Sequence, residues 1–110
     1  TRLDIFNRFL DPADVEPAQV RTSELTVMMM QLVASGRGVC CLPNWAVHEY
    51  SSRGYVTAKR LGEHGLQANL YAALRSDMLE VPYVRDFLLT AKDISFTTLA
   101  GVSVPSGPVI

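Results

Sequence analysis

The stretch that decides the fold runs from Leu25 to Trp45 and reads LTVMMMQLVASGRGVCCLPNW. Its first half repeats apolar residues at the spacing of one helical face, namely Leu25, Met28, Met29, Leu32 and Val33. This spacing predicts an amphipathic helix that is mostly covered by other parts of the molecule. Gly36 and Gly38 tolerate positive φ, so we expect them to end the helix and turn the chain.

A buried strand is predicted directly after this turn. Residues 39–42 (VCCL) form a continuous apolar run, which is typical of a strand covered on both faces, and Pro43 stops it. Cys40 and Cys41 would then point to opposite faces, so a disulfide between them is not expected. The sequence favours two buried, reduced thiols that serve as small apolar side chains.

The rest of the chain continues to alternate helices and strands. A first helix, capped by Thr1 and ended by Asp11-Pro12, is predicted from the apolar stripe Leu3, Phe6, Phe9 and Leu10. The further predicted elements are an extended segment at 19–22, a helix from Trp45 to about Ser52 that is closed by Gly54, and strands at 55–59 and 66–75. A last helix starts at Pro82, with Val84, Phe87, Leu88 and Ala91 on one face. After Ile94 the pattern fades. Such alternation predicts an α/β fold with a mostly parallel sheet.

Composition limits the classes of function. The chain has 110 residues, 48% of them hydrophobic, which is enough for one domain with a core. Its 10 basic and 11 acidic residues give a net charge of −1, so there is no basic footprint for nucleic acid or an anionic membrane. No apolar run approaches the roughly 18 residues of a membrane span.

Polar residues stand at three predicted helix beginnings, where ligands bind in parallel α/β sheets. The candidate binding residues are Thr1 and Arg2, then Thr22, Ser23 and Glu24, then Pro43, Asn44 and Trp45. Unpaired N–H groups at helix amino ends suit a carboxylate, and Arg2 would add a charged fork. Glu24 could hold an ammonium group. Ordinary capping, by Thr22 or Ser23 for the central helix and by Asn44 for the next, explains each residue at least as well, so only convergence at one edge would favour a site.

Other chemistry is weaker in this sequence. Gly36-Arg37-Gly38 follows a helix and precedes a strand, which is the wrong order for a nucleotide-binding fingerprint. His48-Glu49 lacks the second histidine of a zinc-protease motif, because position 52 is Ser52. The two histidines and the loop carboxylates show no convergent acid-base group, so we expect neither an enzyme nor a metal site.

The segment from Gln31 to Pro43, QLVASGRGVCCLP, resembles the second half of the effector-binding domain of LysR-type transcriptional regulators. The resemblance runs from Arg2 to Ile94, and residues 2–6, 42–47 and 70–75 look most like a member that activates methionine biosynthesis. It implies a periplasmic-binding-protein-like (type 2) effector domain. Residues 1–95 would form its second lobe and the return to the first, and residues 96–110 a C-terminal tail.

The resemblance also implies a function. The effector would be homocysteine, bound between two lobes, with Thr22 and Ser23 in contact and Thr1 and Arg2 as neighbours. The protein would be cytoplasmic and would form a homodimer or tetramer through the sensor domain, with residues 19–22 at the dimer surface. DNA would be bound only by an N-terminal helix-turn-helix domain, which, like the first lobe, we expect to lie upstream of this chain. A lobe of a solute-binding protein, or of an enzyme with a similar two-lobed scaffold, remains an alternative.

Overall fold

The computed structural model describes residues 3–106. A π-helix at Phe6–Leu10 comes first, and it is followed by helices α1 (Thr26–Ala34) and α2 (Asn44–Ser52), a 3₁₀ turn (Ser76–Met78) and helix α3 (Pro82–Thr98). The described residues up to Gln67 form one compact unit, and those from Ala68 onward form a second. The first unit therefore holds the π-helix, α1 and α2, and the second holds the 3₁₀ turn and α3.

Both predicted glycine stops end their helices with the same hydrogen-bond pattern. After α1, the N–H groups of Gly36 and Arg37 donate to the carbonyls of Val33 and Leu32, each at 3.0 Å. After α2, Gly54 and Tyr55 donate in the same way, at 3.1 and 3.0 Å. Each is a Schellman motif, which needs a left-handed residue at its turn, and Gly36 and Gly54 both have φ of +75°. The sequence prediction is confirmed at both helix ends.

The first and last predicted helices are present with altered geometry or length. The π-helix closes with the Asp11 N–H donating to the Phe6 carbonyl at 2.8 Å, and the chain then turns at residues 11–14, as Asp11-Pro12 predicted. Helix α3 begins at Pro82, as expected, but continues to Thr98, past Ile94. The hydroxyl of Thr98 donates back to the Ile94 carbonyl at 2.6 Å, so a polar residue fits within the last turn.

The face of α3 predicted from sequence is correct for three of four residues. Val84, Leu88 and Ala91 are half-buried, together with Ser95 one turn later. Phe87, by contrast, is 70% exposed and lies outside this face. A helical spacing of apolar residues identifies a stripe, but it does not limit how wide the covered part of that stripe is.

No strand is present among residues 3–106, so the predicted sheet is not confirmed in this part of the chain. Residues 19–22, 39–42, 55–59 and 66–75 are not helical, yet none pairs with a neighbouring strand. Val39 is 98% exposed and Leu70 is 74% exposed, so neither segment is covered. An apolar or alternating pattern predicts extended backbone, whereas a strand also requires a neighbouring backbone to accept and donate its hydrogen bonds.

Two burial predictions are also wrong within the described residues. Cys40 and Cys41 are both free and exposed, because the segment that carries them has no sheet around it. On α1, only Met30 is buried, at 3% exposure, whereas Val27 and Met28 are more than half exposed. Helices α1 and α2 of the first unit do not pack along their length, which fits the exposure of Val27 and Met28. The half-buried residues of the predicted face are Met29, Leu32 and Val33.

The contrast between two neighbouring methionines gives a test of this packing. We expect Met30→Ala to lower the free energy of unfolding by about 2 kcal/mol, since its buried side chain leaves a cavity. Met28→Ala, at a site that is 51% exposed, should change it by less than about 0.5 kcal/mol. Urea titrations followed by helical circular dichroism compare the two variants, and equal losses would contradict the observed burial.

Candidate functional site

The predicted binding residues that the structure describes stand at the beginnings of α1 and α2, both in the first unit. Thr22, Ser23 and Glu24 precede α1, and Pro43, Asn44 and Trp45 begin α2. Thr1 and Arg2, including the predicted cap by Thr1, lie outside the described residues. The candidate site is therefore described at two of its three predicted corners.

At the first corner, capping of α1 by Thr22 or Ser23 is not observed. The helix begins at Thr26, and Leu25 holds the cap position with extended backbone (φ −103°, ψ 113°) and no side-chain cap bond. The Ser23 hydroxyl instead bonds to Leu25, accepting from its N–H at 3.3 Å and donating to its carbonyl at 3.4 Å. This local turn places the helix start two residues later than a serine cap would.

Thr22 and Glu24 flank this turn and are both exposed. Among the described residues, neither side chain has a hydrogen-bond or ion-pair partner. Their polar groups are thus available to a ligand as well as to water. Glu24 also lies beside the amino end of α1, where a carboxylate is favourable against the helix dipole, so the dipole alone already accounts for its position.

At the second corner, Asn44 is not the cap of α2. Pro43 holds the cap position (φ −60°, ψ 151°), and its carbonyl accepts from the N–H groups of Ala46 and Val47 at 3.0 and 3.3 Å. Asn44 is the first helical residue and is exposed. Proline suits the cap position because its fixed φ matches the backbone geometry there. The predicted cap, Asn44, is the next residue. Trp45 is 44% exposed, so its ring is partly covered and partly open.

The electrostatics at the beginning of α2 favour an anion, whereas at the beginning of α1 the Glu24 carboxylate offsets part of the helix dipole. Neither α1 nor α2 has an acidic residue in its first turn, and neither start has a side-chain cap bond. The first N–H groups of each helix therefore have no side-chain acceptor, and their partial positive charge faces outward from the helix end. Within the described residues, no hydrogen bond or ion pair joins one corner to the other. Their convergence on one ligand remains a prediction.

Sequence reasoning missed one concave feature, a shallow depression of about 220 Å³ at the carboxyl end of α2. Glu49, Tyr50, Arg53 and Tyr55 line it, and Arg53 is paired with Glu49 at 2.9 Å, one helical turn away. No predicted binding residue reaches this depression. Because its cation is already paired and its walls come from one helix end, we assign it no ligand.

The thiols and the metal-ligating residues show no catalytic arrangement. Partial burial raises the pKa of the Cys40 thiol, as does the neighbouring Cys41, and burial likewise raises the pKa of Cys41. Raised values keep both groups protonated, whereas a nucleophilic thiol needs a lowered pKa. Residues 3–106 contain no cluster of three or more His, Cys, Asp or Glu side chains fit to hold a metal ion. Over the same residues, no helix is both long and apolar enough to cross a membrane.

Residues 1–94 match the family described as the LysR substrate binding domain. The chain belongs to this family. The transcriptional regulator MetR of Haemophilus influenzae is 44% identical over 102 residues, which cover 93% of this chain and 33% of the relative. MetR of Escherichia coli K12 is 37% identical over 93 residues, covering 84% of this chain and 29% of the relative. The chain thus spans about a third of the length of these curated relatives, which are named as transcriptional regulators and not as enzymes.

Solved structures agree with the family assignment. The regulatory domain of MetR, a LysR family regulator from N. meningitidis, superposes with a TM-score of 0.74 at 39% identity, over 92% of this chain and 46% of that one. A double cysteine-to-serine variant of the same domain gives a TM-score of 0.76 at 37% identity, over 96% and 49%. The fold of the chain is therefore that of part of a LysR regulatory domain, as the sequence resemblance implied. The sheet expected with that fold is not seen in residues 3–106.

The two polar residues before α1 should differ in their effect on stability. Ser23→Ala removes both bonds to Leu25, so we expect the free energy of unfolding to fall by about 1 kcal/mol. Thr22→Ala removes no described contact, so the change should stay below about 0.5 kcal/mol. Urea denaturation of the two variants measures the difference. A larger loss for Thr22→Ala would mean that Thr22, not Ser23, supports the helix start.

Proposed function

We propose that the chain is the effector-sensing part of a MetR-like LysR regulator, which binds homocysteine as co-effector and controls methionine-biosynthesis genes. The observation that carries this proposal is the family match over residues 1–94, together with 44% identity to a curated MetR. The candidate site supports a sensor, since its described residues offer binding groups without a catalytic arrangement.

The amino-acid part of homocysteine fits the chemistry of the two corners. Its carboxylate would accept hydrogen bonds from the unpaired N–H groups at the beginning of α1 or α2, and Arg2 would be its second partner. Its ammonium group would pair with Glu24, and the hydroxyls of Thr22 and Ser23 would complete the contacts. A ligand that binds the Ser23 hydroxyl would replace its bonds of 3.3 and 3.4 Å to Leu25.

The remainder of the regulatory domain would complete the sheet. The solved MetR domains contain about as much chain again as the part that this chain covers, since the coverage is 46% and 49%. In such a domain, residues 39–42 would pair with neighbouring strands. Pairing would cover Val39 and the two cysteines, and it would restore the buried strand predicted from the sequence.

Signalling would then be a shift between two arrangements of the sensor. An effector that binds one arrangement more tightly than the other shifts the equilibrium toward it by the difference in binding free energy. A difference of about 1.4 kcal/mol changes the ratio of the two arrangements tenfold. The shift would pass through a cytoplasmic homodimer or tetramer to a helix-turn-helix domain on the same polypeptide. That domain would make the DNA contacts, because this chain has a net charge of −1 and no basic footprint.

Calorimetric titration of the full-length regulator tests the proposed effector. We expect homocysteine to bind saturably and methionine, which carries the same amino-acid group with a methylated sulfur, to bind more weakly. Thr22→Ala should weaken homocysteine binding at least tenfold with little change in melting temperature. Thr57→Ala, another exposed threonine in the first unit, serves as the matched control and should bind normally.

Two results would contradict the proposal. The absence of binding heat with homocysteine, from a folded protein, would remove this effector. Normal binding by the Thr22→Ala variant would move the pocket away from the beginning of α1.

A further inference from the structure

Arg8 links the π-helix to the last residue of the first unit. Its guanidinium Nη2 donates to the backbone carbonyl of Gln67 at 2.8 Å, across 59 positions of sequence. Its Nη1 donates to Asp4 Oδ2 at 3.3 Å, one helical turn earlier. Gln67 is where the first compact unit ends, and Ala68 begins the second. One side chain therefore contacts both an early helix and the point at which the chain leaves its unit.

The chain before Gln67 is also held against this helix. The ring of Phe9 lies 3.1 Å from the position that a Cβ would take on Gly62, so the ring packs directly on the backbone there. The turn that contains Gly62 closes on itself, since Arg60 donates to the Glu63 carbonyl at 3.1 Å and the Gly65 N–H to the Leu61 carbonyl at 2.9 Å. Phe9 thus holds the turn, and Arg8 holds the backbone two residues beyond it.

Beyond Gln67, the chain has no comparable support. Residues 68–75 are exposed and belong to no helix or strand within the described part of the molecule. A charge-assisted hydrogen bond from a guanidinium is stronger than a neutral one, and its planar fork lets one side chain hold a carboxylate and a carbonyl together. The contact with Gln67 therefore lies at the boundary between backbone that packs on the π-helix and the exposed residues 68–75.

We propose that Arg8 is a positioning residue that anchors the exit of the chain from the first unit. The anchor fixes the backbone at Gln67, where the chain leaves the first unit. The anchor follows from the contacts of Arg8 alone. A part for the anchor in transmitting an effector signal rests on the proposed function.

Spin-label mobility in the full-length regulator tests the anchor. A nitroxide is attached at Ala68→Cys, after the native cysteines have been replaced by serine, and its room-temperature spectrum is recorded. We expect Arg8→Met to shorten the rotational correlation time of the label at least twofold. Arg8→Lys should give an intermediate value, because a single ammonium group can reach the carbonyl but lacks the fork.

Two matched variants separate this role from general stability. Arg53→Met removes an arginine that pairs with Glu49, also four residues earlier, but that has no bond to a distant carbonyl. Asp4→Asn weakens the carboxylate partner of Arg8 and leaves the bond to Gln67 in place. Both should leave the label as immobile as in the parent protein. Melting temperatures and circular dichroism confirm that all variants are folded.

The outcomes for the anchor and for the proposed function can be told apart. An unchanged spectrum for folded Arg8→Met, or equal mobilisation by Arg53→Met, overturns the anchor even if homocysteine binds. Mobilisation by Arg8→Met alone supports the anchor even if homocysteine does not bind. In the parent protein, a homocysteine-dependent change of the spectrum that Arg8→Met removes would support both the anchor and its part in signalling.

Discussion

Extended backbone must find hydrogen-bond partners on another segment, and this constraint separates the parts of the chain that form structure alone from those that do not. Helices satisfy their own N–H and carbonyl groups, so α1, α2 and α3 are complete within this chain. The apolar segment at 39–42 and the alternating segment at 66–75 cannot do so, and within residues 3–106 they form no strand and are mostly exposed. Val27 and Met28 on α1 are exposed as well, and no strand of the described residues covers them.

The helices could be predicted from the sequence because their signals are local. Gly36 and Gly54 mark the two Schellman motifs, and Pro82 marks the start of α3, each through its own backbone preference. The strands and the buried faces could not, since pairing and burial depend on segments far away in the sequence. For the candidate site, the positions near the helix beginnings were predictable. The predicted cap residues lie one to three positions away from the observed ones. The observed caps are Leu25 and Pro43, whereas polar residues are the usual caps.

The candidate site and the anchor lie in the same unit but depend on different physics. The site relies on helix amino ends without acidic first turns or side-chain caps, a feature of backbone electrostatics. The anchor relies on one long-range bond, from Arg8 to the Gln67 carbonyl at 2.8 Å, and on the packing of Phe9 against Gly62. If the effector binds at the helix beginnings, the anchor holds the backbone at the end of the same unit, at Gln67.

Alkylation of Cys40 and Cys41 tests most directly whether this chain is one part of a larger LysR sensor domain. Both thiols are exposed in the 110-residue chain, and burial raises their pKa values, so both proteins are measured at the same alkaline pH. Iodoacetamide rates, assigned to these two residues by peptide mass spectrometry, are compared between this chain and the complete regulatory domain. We expect alkylation in the isolated chain to be at least 100-fold faster, because the proposed strand pairing would cover residues 39–42 in the complete domain. Equal rates would contradict this, and would mean that the segment stays uncovered in the complete domain.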